Sequence, residues 1–174
     1  MDRKNKLIKN QFLPVYVLFM FLWNLIIFLT PILSVNNLEI SKSLFTFFSF
    51  FCHQLFERSI CMNDNMEIGN CSASNGFIYQ FPICARDIGF YFGMLIGGMI
   101  MLIARKGEEK MPNLLFLLIF IFPMAIDGVT QLLYLRESTN ELRLITGFLA
   151  GVIIPFYLIP ILNRFSFRGV GSER

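Results

Sequence analysis

An all-α, polytopic membrane bundle is the fold this sequence predicts, with about four transmembrane helices and one short re-entrant or interfacial helix. Three observations predict it. Hydrophobic residues make up 55% of the 174-residue chain, Phe alone accounts for 21 positions, and Asp, Glu, Lys and Arg together reach only 16%. Mean hydropathy is +0.61, above the range of ordinary soluble domains. Four apolar runs are each long enough to cross the hydrocarbon core as a helix. The net charge of +3 is mild, and the basic residues flank the apolar runs. They therefore read as topology signals and not as a nucleic-acid footprint.

The first run, Phe12 to Leu33, follows a basic segment carrying Arg3, Lys4, Lys6 and Lys9. A signal peptide shares that pattern, but this run exceeds a typical signal core and no small-x-small cleavage motif closes it. A retained first helix is the expectation. The next segment, "SLFTFFSFFCHQLF" (43 to 56), is too short in its apolar part for a comfortable crossing, so a partly inserted helix is expected there. "CMNDNMEIGNCSASNG" is polar and turn-rich with no periodic pattern, and is expected to be an irregular loop. Further spans are expected over 83–104, 113–135 and 142–162. Gly89, Gly93 and Gly97, and likewise Gly147 and Gly151, are spaced four apart and invite close helix packing. Pro123, Pro155 and Pro160 fall inside expected spans and can kink or break them.

With the N-terminus inside and four crossings, the inner face receives Arg3, Lys4, Lys6, Lys9, Arg105, Lys106, Lys110, Arg164, Arg168 and Arg174. The outer face receives only Lys42, Arg58, Arg86, Arg136 and Arg143. The positive-inside bias thus predicts a multi-pass cell-membrane protein with both termini cytoplasmic and the connection 34–82 outside. If 43–56 crossed as well, "RKGEEK" would face outward, against that bias.

Polar residues gather at the expected outer face. Cys52, Cys61, Cys71 and Cys84 all fall there, where disulfides are permitted: Cys61 with Cys71, or Cys52 with Cys84, with free buried thiols as the competing reading. Cys52, His53, Cys84 and Asp87 also form a candidate metal-ligand set, and Cys84 and Asp87 share a helical face. His53 is the single histidine and an acid-base candidate; with Glu57 four residues on, the two are expected on one helical face. The bland alternative is a satisfied histidine at the membrane edge.

Asp127 lies in an apolar span, with Gln131 a turn away, and an intramembrane carboxylate is costly unless paired or hydrated. Arg86 and Arg143 are its expected partners, and Asp127 is a second acid-base candidate. Arg58, Arg86, Gln131, Arg136, Glu137, Asn140 and Arg143 together suggest an outward-facing site for an anionic or amphiphilic small ligand, which guanidinium groups hold in paired hydrogen bonds. No HExxH, GxSxG, phosphate-loop or CxxC signature is present, so neither enzyme nor cofactor follows from the residues. Competing readings are a small-solute or ion carrier, which with so few spans would act as a homo-oligomer, and a structural accessory subunit. Membrane lipid is the one expected partner common to all.

"FCHQLFERS", "ICARDIGFYFG" and "IDGVTQLLYLRESTNELRLITGFLAG" resemble, in order and spacing, the prokaryotic membrane-protein family catalogued as domain of unknown function 2085, over roughly residues 45 to 155. The resemblance implies a polytopic membrane protein and assigns no activity. That family's pattern reads Cys-His-Gln, then Arg-Ser, then Cys-x-Arg-Cys with a glycine after it. Here Cys52, His53, Gln54, Arg58, Ser59, Cys84, Arg86 and Gly89 match, but Asp87 stands where the last cysteine would be. A carboxylate can replace a thiolate as a metal ligand, but not in dithiol chemistry. The later match runs through Asp127, Gly128, Gln131, Arg136, Glu137, Ser138, Asn140, Arg143, Thr146 and Gly147.

Overall fold

The computed structural model describes residues 12–36, 39–104 and 111–171, with the side chains of 165–171 left aside. The basic segments at 3–9 and 105–110, Arg174 and the side chain of Arg168 thus lie outside the described residues, and with them most of the charges expected on the inner face. The order is α1 (Phe12–Val35), α2 (Glu39–Phe48), β1 (Ile60–Met62), β2 (Ile68–Asn70), β3 (Tyr79–Gln80), α3 (Ala85–Ala104), α4 (Leu114–Leu132), α5 (Asn140–Ile153) and α6 (Pro155–Gly171). Among the described residues, four stretches are long and apolar enough to cross a membrane: α1, α3, α4 and the α5–α6 run Asn140–Arg164. The chain is a multi-pass helical membrane protein. Proline breaks the last run: Pro155 cannot donate a backbone N–H, and one helix ends at Ile153 as the next begins.

The α3–α5 pair is the centre of the bundle. A Cβ on Gly89, Gly93 or Gly97 would collide with the main chain at Leu144, Phe148 and Val152. One on Gly147 or Gly151 would collide with the carbonyls of Arg86 and Phe90. In lipid no hydrophobic force drives two helices together, so this backbone contact, with its dispersion energy, is what holds them. Helix α1 joins through polar side chains: Asn24 Nδ2 donates to Met20 O (2.8 Å) and to Tyr91 O of α3 (3.1 Å).

Two expectations need correction. The short helix lies at 39–48, not 43–56. Trp23 of α1 gathers Phe47, Phe48, Phe51 and Tyr91 at centroid distances of 5.3 to 6.1 Å, and this packing ends the helix at Phe48. Gln54 then takes a left-handed backbone (φ 51°), held because its Nε2 donates to both Phe45 O and Pro82 O at 2.8 Å. His53 is therefore on an extended segment, and the expected His53–Glu57 helical face does not form. The expected irregular loop, 61–76, instead supplies β2 and most of β1 to a three-stranded antiparallel sheet of order β2-β1-β3, with Cys61 opposite Gly69 on one side and Gln80 on the other. A Cys61–Cys71 disulfide closes it.

Candidate functional site

The sheet, the 52–59 segment and the first turns of α3 and α5 meet at one end of the bundle. Asn140, at the start of α5, ties them together: its Nδ2 donates to Ser59 O (3.1 Å) and Asn70 Oδ1 (2.9 Å), while its Oδ1 accepts from Arg143 Nη1 (2.8 Å). Gln80 Nε2 donates to Gln54 O and Ser59 Oγ, both at 2.8 Å. These amides place two cavities over the helix ends. One, of about 350 Å³, is lined by Phe51, Cys52, His53, Gln54, Leu55, Arg58, Cys84, Arg86, Asp87, Gln131 and Arg143. The other, of about 380 Å³, shares Arg58, Arg86 and Gln131 and adds Gly128, Leu132 and Tyr134.

Asp127 sits beside this groove, 2% exposed. Arg86 Nη2 donates to its Oδ2, and Arg136 Nη2 to its Oδ1 at 3.0 Å. Arg86 Nη2 also reaches Gln131 Oε1 at 3.4 Å. Arg136 arrives because the chain reverses just after α4, where Tyr134 is left-handed (φ 56°) and Leu135 N–H donates to Thr130 O at 3.0 Å. The expected pairing of Asp127 with Arg86 thus forms. Arg136, not Arg143, is the second partner.

Arg143 is in a different state. It is 5% exposed, and its Nε has no hydrogen-bond partner among the described residues. No carboxylate among the described residues comes within ion-pair distance of Arg143 or Arg58. Burial disfavours its charge, Arg58 and Arg86 repel it, and Asp127 attracts it. A buried charge without an opposite charge beside it is costly.

At the far side of the same cavity, Cys84 Sγ donates to Asp87 Oδ2 at 3.0 Å, and Cys84 N–H donates to Cys52 Sγ at 3.2 Å. Cys52 and Cys84 are free thiols. Hydrogen bonding from Cys84 holds the Cys52 thiol below its ordinary range.

The structure therefore gathers Cys52, His53, Arg58, Cys84, Arg86, Asp87, Gln131 and Arg143 around one cavity. Asp127 and Arg136 act on it only through Arg86, and both Asp127 oxygens are taken by arginines. Asn140 is a scaffold amide, and Glu137 is exposed and lines neither cavity. His53 is exposed at the cavity rim. Sequence reading missed Gln54 as a site residue. Its place beside His53 in "CHQ" was the one available signal.

Comparison with known proteins gives a consistent result. Residues 52–157 match the family described as "Predicted membrane protein (DUF2085)". An uncharacterised protein of Methanocaldococcus jannaschii is 39% identical over 130 residues, covering 74% of each chain. An uncharacterised protein of Methanothermobacter thermautotrophicus is 30% identical over 105 residues, covering 60% of this chain and 81% of the relative. No solved structure matches. The chain belongs to the DUF2085 family of predicted membrane proteins, and the matched region contains every residue of the cavity except Phe51.

Proposed function

We propose that this member of the family binds an anionic group, a phosphate or carboxylate on a small or amphiphilic molecule, in the arginine-lined groove at the outer end of the bundle. The observation that carries this reading is Arg143: buried, facing a cavity, and without a carboxylate partner among the described residues. Four guanidiniums (Arg58, Arg86, Arg136, Arg143) stand against two carboxylates (Asp87, Asp127), so the groove is net positive. A bound oxyanion relieves that imbalance through charge-assisted hydrogen bonds worth roughly 1.5–3 kcal/mol each. The outward orientation is supported by the positions of the basic residues in the sequence, and a disulfide at the same end suits an oxidising exterior.

Gln131 and Arg86 would orient the anion, with Asp127 and Arg136 fixing Arg86. His53, which lines the rim, would exchange a proton with a group beside the anion in an enzymatic version of this reading. The test is calorimetric titration of the detergent-purified protein with inorganic phosphate and, separately, with a short-chain phosphatidic acid. Saturable binding weakened roughly tenfold or more by Arg143→Gln supports the reading. Tighter binding of the lipid than of phosphate assigns an amphiphile. Equal affinities in wild type and Arg143→Gln overturn the reading and favour a structural role for the polar network.

A further inference from the structure

We propose that Cys52, Cys84 and Asp87 form a binding site for one thiophilic divalent cation, zinc(II) first among them, with its remaining coordination position open to the arginine cavity. The inference goes beyond anion binding and stands without it. One ligand atom from each of the three residues lies within 4.8 Å of the other two, and all three residues are half-buried. Tetrahedral zinc with sulfur at about 2.3 Å and oxygen at about 2.0–2.2 Å needs its donors about 3.5–3.8 Å apart, so a small readjustment, in which the 3.0 Å Cys84–Asp87 contact opens as the metal replaces the proton, completes the set. Cys84 and Asp87 are three residues apart across the first turn of α3, which puts them on one face, and the amide lattice around Gln54 brings Cys52 to meet them.

The chemistry of the cluster fits a cation. The Cys84 proton already points at the Asp87 carboxylate, and a metal takes the place of that proton between the same two atoms. Both thiols deprotonate as the metal binds, releasing protons to solvent. The Cys84 N–H that donates to Cys52 Sγ remains in place as a supporting bond to a thiolate. Two thiolates and a carboxylate on a dication leave one negative charge, which Arg58, Arg86 and Arg143 across the cavity offset. His53 lines the cavity but stands outside the cluster, so the fourth position is left to water or to a ligand, the pattern of reactive and not purely structural zinc.

The experiment uses the full chain, purified in detergent with reductant, loaded with zinc and dialysed against metal-free buffer without chelator. Elemental analysis should then find about one zinc per chain, with proton release on loading. Cys52→Ser and Cys84→Ser should weaken zinc at least tenfold in competition with a chromophoric chelator, Asp87→Asn less, and His53→Ala not at all. Cobalt(II) should give a thiolate charge-transfer band that each single-cysteine variant diminishes. Retention of the Cys61–Cys71 disulfide and an unchanged gel-filtration position separate ligand loss from misfolding, and Asp87→Asn serves if a serine variant fails that check. A reduced wild type that retains no zinc, or zinc binding indifferent to both serine substitutions, overturns the proposal. So does a Cys52–Cys84 disulfide that forms in air and, once reduced, leaves thiols that take up no zinc. Phosphate titration of chelator-treated protein reads the anion site separately, so either idea can fall alone.

Discussion

Helices α3 and α4 both neighbour α5, and they are held in opposite ways. Between α3 and α5 the glycine faces bring main chain against main chain, with side chains such as Ile88 and Leu95 packed around the seam. Of the apolar window of α4 only 6% is buried, against 39% for α3, and Asp127 is its one fully buried residue. Phe116, Leu118, Ile119 and Phe122 all face outward, where lipid satisfies them as well as protein would. What ties α4 across the bundle is an ion pair from Asp127 to Arg86 of α3 and, at its other end, Tyr157 Oη of α6 donating to Asn113 O at 2.8 Å, while Arg136 folds back from the following turn onto Asp127. A seam of glycines resists any sideways movement. A single carboxylate holding two arginines is a local fastening that one substitution, or a competing anion, can loosen. Arg86 belongs to that fastening and to the groove at once, so the groove lies at the border between the rigid and the loosely seated parts.

Substitutions can break or sharpen this contrast. The largest effect is expected from Gly147→Leu, whose side chain would have to occupy the space of the Arg86 carbonyl. A loss of more than about 3 kcal/mol, or no folded protein at all, should appear in thermal unfolding followed by gel filtration in detergent. Next, replacing Cys61 and Cys71 together by Ser removes a short cross-link worth about 2–3 kcal/mol on the chain-entropy account. Hydrogen exchange should rise in the sheet while the glycine seam stays protected, a result that would separate the cap from the bundle. Asp127→Asn should cost about 1–2 kcal/mol, below the usual figure for a broken buried pair because Arg136 is 53% exposed and Arg86 is 20% exposed. Its signature is local: faster exchange and easier cysteine cross-linking of α4 with α3 unaffected. Equal loosening of both helices would refute the contrast. The smallest effect belongs to Phe122→Ala on the lipid face, expected within about 0.5 kcal/mol of wild type.

Much of the bundle was legible because hydropathy over a full span is a long signal. Three expected spans each correspond to one long helix and the fourth to the α5–α6 run broken at Pro155, and the glycine spacing of 89, 93, 97, 147 and 151 marked the seam. Asp127 was conspicuous for the same reason, since one carboxylate in "FPMAIDGVTQLL" has no apolar explanation. The cap was not legible. Strands of two or three residues carry no periodicity, and their pairing depends on the disulfide and on Asn140 reaching Ser59 and Asn70 from far along the chain. The His53 segment was misread because apolar content favoured continuing the helix, whereas aromatic packing on Trp23 and the left-handed Gln54 ended it. Which arginine would reach Asp127 was also hidden: it depends on the reversal at Tyr134, a position with no glycine or asparagine to announce a positive φ.

The glycine seam has a consequence for selectivity. Gly147 rests on the main chain of Arg86, and Arg143 stands one turn before Gly147 on the same helix. The span between the roots of these two guanidinium arms is thereby a main-chain dimension, insensitive to drift at the lipid-facing positions. What size of guest the proposed site would admit is then governed by residues that never touch it. Exchanging Arg143 for lysine would alter how firmly a guest is gripped, whereas enlarging Gly147 would alter which guests fit at all.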